Sequence, residues 1–107
     1  YLSAFSGNGK KIFVFGDMRE LGSSSNEQHT RIGEKCSELD LNIVYTIGKE
    51  TKHTHSALKN EINHEHFKSK KRLIESIKNI LSPGDKILFK GSRSMNMEHI
   101  ISGVFEL

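Results

Sequence analysis

Three short apolar runs punctuate this chain at wide intervals: Ile12-Phe13-Val14-Phe15, Ile43-Val44-Tyr45-Thr46-Ile47 and Lys86-Ile87-Leu88-Phe89. Each is continuous rather than alternating, the pattern of a strand buried on both faces of a parallel sheet. Between them the apolar positions recur at helical spacing. Over residues 26–39, Ile32, Cys36 and Leu39 fall at i, i+4 and i+7, so Cys36 belongs to the inward stripe. Ser25 with Gln28 predicts a capping box at that helix start. From about residue 70 to 81, Leu73, Ile74, Ile77, Ile80 and Leu81 form one apolar face, which Ser82-Pro83-Gly84-Asp85 terminates. Met97, Ile100, Ile101 and Val104 predict a closing helix. The polar stretch Glu50 to Glu65 reads as a loose helix near residues 50–60, then a short edge strand around His66-Phe67.

Strands alternating with helices predict an α/β, Rossmann-like three-layer domain with a mainly parallel sheet, leaving room for one antiparallel edge strand. Parallel neighbours place every strand's C-terminal end on one rim. Gly16-Asp17, Gly48-Lys49 and Lys90-Gly91 all belong to that rim. The last of these continues through Ser92 and Arg93 into a helix, the kind of strand-to-helix junction where open α/β sheets bind ligands.

With 107 residues the chain is expected to be a single domain, residues 1–107. Tyr1-Leu2-Ser3-Ala4-Phe5 resembles the tail of an apolar helix whose beginning is missing, so a fragment is expected. No run approaches the roughly 20 apolar residues of a membrane span, and one cysteine permits no internal disulfide. These features predict a soluble intracellular chain with no membrane insertion. Sixteen Lys and Arg against 13 Asp and Glu give a net charge of +3. The densest basic run, Lys68-Ser69-Lys70-Lys71-Arg72, has no interleaved aromatics for stacking bases, so it reads as a solvated face rather than a nucleic-acid surface.

Two motifs go beyond pattern: Gly16-Asp17-Met18-Arg19-Glu20-Leu21-Gly22, and Lys90-Gly91-Ser92-Arg93-Ser94-Met95-Asn96-Met97-Glu98. With His66-Phe67, the basic helix and Pro83-Gly84-Asp85 between them, this ordered set resembles the C-terminal domain of the Mur ligases from Lys11 to Phe105. Within that family it is most similar to the members that join D-alanyl-D-alanine to UDP-N-acetylmuramoyl-tripeptide.

The resemblance implies ATP-driven amide formation in bacterial peptidoglycan precursor synthesis, in the cytoplasm, by a three-domain enzyme of which this chain is the third domain. ATP and Mg2+ would then be held mainly by a central domain. The chain contains no G-x-x-x-x-G-K-[ST] phosphate loop, so no catalytic residue, no bound cofactor and no turnover are expected of it alone. Its partners would be the two substrates and its own central and N-terminal domains.

Carried over, Lys90, Gly91, Ser92 and Arg93 would meet the carboxylate end of the dipeptide. The Arg93 fork would bind it bidentately, and the Gly91 and Ser92 amides and the Ser92 hydroxyl would share the charge. The other reading has Lys90 and Arg93 pairing with nearby acids and Gly91 merely turning the chain. Asp17 and Glu20 are open in the same way. They would hold magnesium or accept an amine proton, or Asp17 would cap a turn while Glu20 pairs with Arg19 or Arg93.

His53-x-His55 and His64-x-His66 have spacing that would chelate on a strand, but no partner with ligand spacing accompanies them, so no metal site is expected. Cys36, placed on a buried stripe without cations to activate it, is not expected to be a nucleophile. Two readings of other classes remain: a stand-alone anion- or nucleotide-binding α/β module without catalysis, and an interaction domain using the basic helix near Lys70.

Overall fold

A computed structural model describes residues 9–18, 25–58 and 62–106. Four strands and four helices alternate along it: β1 (Lys11–Gly16), α1 (Ser25–Glu38), β2 (Ile43–Ile47), α2 (Thr51–Ser56), β3 (Asn63–Phe67), α3 (Lys70–Ile80), β4 (Lys86–Lys90) and α4 (Met97–Phe105). A 3-10 turn, Arg93–Met95, joins β4 to α4. The sheet runs β3-β2-β1-β4 and every neighbouring pair is parallel. The antiparallel edge strand allowed for above is therefore corrected: β3 pairs parallel to β2, with His66 opposite Thr46 and Phe67 opposite Ile47.

Period-two alternation divides the strand side chains between two cores. Ile12, Val14, Ile43, Tyr45 and Ile47 face one side, where Leu73 and Ile77 of α3 and Ile100 and Val104 of α4 pack on them. Phe13, Phe15 and Val44 face the other, against Cys36 of α1 and Leu58. The result is a three-layer sandwich. Buried on both faces, β1 and β2 read as continuous apolar runs.

The same pattern in β4 has a different outcome. β4 is an edge strand, Ile87 and Phe89 reach the α3–α4 core, and Leu88 stays 44% exposed on the opposite face. The expectation that β4 is covered on both sides is thus corrected. Its start is fastened to β1 through Asp85, whose carboxylate accepts from the Lys10 amide (2.8 Å), the Lys10 ammonium (2.9 Å) and the Ser82 amide (2.9 Å). Burial would raise the Asp85 pKa, but these donors outweigh it and hold the carboxyl below its usual range.

Two details of α1 also differ from the sequence pattern. Ser25 lies inside the helix rather than capping it, with its hydroxyl 3.2 Å from Nδ1 of His29. The buried stripe is Ser25, His29, Gly33 and Cys36, and Leu39 is exposed. Gly33 decides the direction of packing, because a Cβ there would lie 2.3 Å from the Thr54 carbonyl of α2. The helices touch through backbone at that point.

No helix among the described residues is long and apolar enough to cross a membrane. The expected helix tail at residues 1–5 lies outside the described residues.

Candidate functional site at the C-terminal rim of the sheet

Because all four strands run in one direction, their C-terminal ends share one rim, and Asp17 is its hub. The residue follows β1 and is 1% exposed. One carboxylate oxygen, Oδ2, accepts from the Lys49 amide (2.9 Å), and Oδ1 accepts from the amides of Glu50 (3.0 Å) and Thr51 (2.9 Å). The Glu50 and Thr51 amides are orphan donors at the start of α2, whose own cap residue, Glu50, makes no side-chain cap bond, and the Lys49 amide precedes them. A carboxylate from a neighbouring strand thus caps α2. Close approach is possible because residue 48 is glycine: its φ is 120°, and a Cβ would sit 2.3 Å from Oδ1 of Asp17.

The backbone of Asp17 ties in the third loop. Its carbonyl accepts from the Ser92 amide (3.0 Å) and the Ser92 hydroxyl (2.9 Å), and Ser92 is buried. Gly91 lies against Gly16: a Cβ on Gly91 would stand 3.3 Å from the Gly16 Cα and 3.0 Å from Sδ of Met97. Loops from β1, β2 and β4 are therefore locked together around one residue.

His29 adds a further pin. Its Nδ1 lies 2.7 Å from the Ser25 carbonyl and its Nε2 accepts from the Met18 amide at 3.1 Å, which fixes the proton on Nδ1. Nothing in the sequence pattern singled out His29. The signal was there in its spacing, four residues before Gly33 and seven before Cys36 on the buried face.

The predicted site residues separate into two kinds. Ser92 and Asp17 come together and hold the loop. Arg93 opens the 3-10 turn, is exposed, and has no ion pair among the described residues. Lys90 takes a different direction: it borders a groove beside Leu88, Phe13 and Leu39 on the α1 side of the sheet. Glu20 and Arg19 lie outside the described residues.

Magnesium does not fit these residues. Both oxygens of Asp17 are taken by backbone amides, and no cluster of three or more His, Cys, Asp or Glu among the described residues has the geometry of a metal site.

The histidines meet on the α2 side, where Nδ1 of His55 is 3.1 Å from Nδ1 of His64 and the His55 ring lies 5.8 Å from that of His66. Burial and the two neighbouring imidazoles push the His55 pKa down. Burial also lowers that of His66, whose Nδ1 is 2.7 Å from the Thr46 hydroxyl. Cys36 is buried, and burial pushes its thiol up to about 11, which disfavours the thiolate.

Residues 1–93 match the family described as Mur ligase, glutamate ligase domain. The chain belongs to the Mur ligase family. The Mur ligase relatives it resembles include the UDP-N-acetylmuramoyl-tripeptide–D-alanyl-D-alanine ligases of Bacillus subtilis and Escherichia coli. The first is 37% identical over 96% of this chain and 23% of its own length; the second is 33% identical over 92% and 22%. Among solved structures, MurF of Acinetobacter baumannii superposes with a TM-score of 0.81 at 28% identity, covering 94% of this chain and 22% of that one. MurF of Thermotoga maritima in complex with ADP gives 0.75 at 26% identity, covering 94% and 22%. The chain spans about a quarter or less of the length of these Mur ligases. The three-layer, all-parallel architecture is that of the matched MurF region.

Proposed function

We propose that this chain is the C-terminal domain of a bacterial, cytoplasmic ATP-dependent ligase that adds D-alanyl-D-alanine to UDP-N-acetylmuramoyl-tripeptide, and that the loop after β4 orients the dipeptide. The observation that carries the site is Arg93. It is an exposed guanidinium on a loop whose backbone is locked by the Ser92–Asp17 bonds, with no acidic partner among the described residues. A planar fork held this way suits a carboxylate.

ATP, bound elsewhere in the enzyme with magnesium, supplies the phosphoryl group that activates the tripeptide carboxyl. The part of the present residues is positional. Arg93 takes the dipeptide carboxylate in two parallel N–H···O bonds, which sets the distance and direction of the amine at the other end. Gly91 lets the ligand approach the backbone. Ser92, with its amide and hydroxyl both donating to Asp17, holds the loop rather than the ligand. Lys90 lies to the side and adds attraction for the anion. Closure of this domain on its neighbours excludes water from the activated carboxyl.

The test is Arg93→Ala in the intact ligase. Losing a charge-assisted pair costs about 2 kcal/mol, so the KM for D-alanyl-D-alanine should rise roughly 30-fold while the KM for ATP stays put. Equal effects on both substrates, or no effect, remove Arg93 from the site.

A further inference from the structure

The basic run that the sequence left as a solvated face is half of something larger. Lys68 and Lys70 stand where β3 gives way to α3, and the β2–α2 connection brings Lys49 and Lys52 to the same place. Together with His66 and Met95 they line a cavity of about 740 Å³ at the rim of the sheet. Among the described residues none that lines it is acidic, and none of the four lysines has an ion pair. Four ammonium groups around one concavity repel each other until something negative enters. The cavity adjoins the Arg93 turn, whose last residue, Met95, forms part of its wall, but its lysines come from the ends of β2 and β3 and the elements that follow them.

We infer that this cavity is a second anion site, for a diphosphate or a similarly multivalent phosphate group. The donor set gives the class. Lysines are compact point charges without the planar fork that selects a carboxylate, and no arginine among the described residues lines the cavity. Four positive charges match a ligand carrying three or more negative ones, not a monocarboxylate. The site also adjoins the amino end of α3, where an anion gains from the helix dipole. His66 presents a further ring at the same wall, and its pKa is lowered first by burial. The inference stands apart from the dipeptide reading above, because no step in it involves Arg93.

The probe is inorganic pyrophosphate, titrated at fixed ionic strength into the isotopically labelled 107-residue chain and followed through amide shifts. Saturable shifts confined to residues 48–52 and 66–70 are expected. Lys52→Gln with Lys68→Gln should weaken binding about tenfold, with spectral dispersion kept because both side chains are exposed. Lys35→Gln with Lys86→Gln removes the same charge away from the cavity and should leave binding unchanged. Glutarate should bind far more weakly than pyrophosphate. Unsaturable shifts spread over all surface lysines would overturn the site. So would equal losses in the two double variants, or glutarate binding as tightly as pyrophosphate. Tighter binding of either ADP or UDP than of pyrophosphate supports the site and tells which diphosphate carrier fills it.

Discussion

Ser92 hangs from Asp17: the amide and the hydroxyl of one residue both donate to the carbonyl of the other, at 3.0 and 2.9 Å, across 75 residues of sequence. This junction sets the conformation of the loop that carries Arg93. Removing the hydroxyl in Ser92→Ala should cost about 1 kcal/mol of stability. In the intact ligase it should raise the KM for D-alanyl-D-alanine several-fold more than that for ATP. Urea unfolding of the chain and steady-state kinetics of the enzyme read the two effects separately.

Asp17 should matter more to folding than to chemistry. Asp17→Ala leaves three amides at the start of α2 without their acceptor and should destabilise the chain by about 3 kcal/mol. Asp17→Asn keeps one acceptor oxygen and should cost roughly half as much. A loss of activity in Asp17→Asn without any loss of stability would return the residue to a role in the reaction.

Thr51 and Thr54 make a matched pair on α2. Both are fully buried, but the Thr54 hydroxyl donates to the His29 carbonyl at 2.6 Å, whereas the Thr51 hydroxyl has no hydrogen-bond partner among the described residues. Thr54→Val should therefore destabilise by about 1 kcal/mol or more, and Thr51→Val should be neutral or stabilising. Thermal melts of the two single variants decide it.

The histidine cluster predicts acid sensitivity. His55 has a pKa below its ordinary 6.5, first through burial and then through His64 and His66. The unfolded chain therefore binds protons more readily than the folded one, and stability rises with pH across that interval. The contribution is present above pH 6.5 and is lost as the pH falls from there toward the folded value. His55→Gln should flatten the stability profile between about pH 7 and 5, as measured by urea midpoints. An unchanged slope would show that the fold does not hold His55 below its ordinary pKa.

Continuous apolar runs identified β1 and β2 because strands covered on both faces have no polar alternation to confuse the reading. α3 was as clear, since Leu73, Ile74, Ile77, Ile80 and Leu81 share one face and Ser82-Pro83-Gly84-Asp85 ends it. The run 86–89 read the same way as β1, and only the strand order shows that its Leu88 face is open. Edge position is a property of the whole sheet and leaves no local mark.

The shared rim of strand ends was legible, and the motif after β4 placed Arg93 in the loop where the fold has it; its hold on a ligand is the proposal above. The commitment of Asp17 to the start of α2 was not legible. That bond joins loops far apart in sequence, and Gly48 gave the only local hint. Nor could the lysine cavity be read in advance, because its two halves lie on either side of β3 and meet only in the fold.

The pairing of the first strand with the last has a consequence for how the chain is made. β1 lies between β2 and β4, and its β4 edge stays unpaired until Lys86–Lys90 has been synthesised. The Asp85 clamp on Lys10 and the Ser92 bonds to Asp17 wait for the same segment. A ribosome must therefore deliver most of this chain before its first strand is enclosed. Until then a flat apolar strand edge is open to pairing with other nascent chains. Shortening the chain ahead of Lys86 would thus do more than delete an edge strand: it would expose the centre of the sheet.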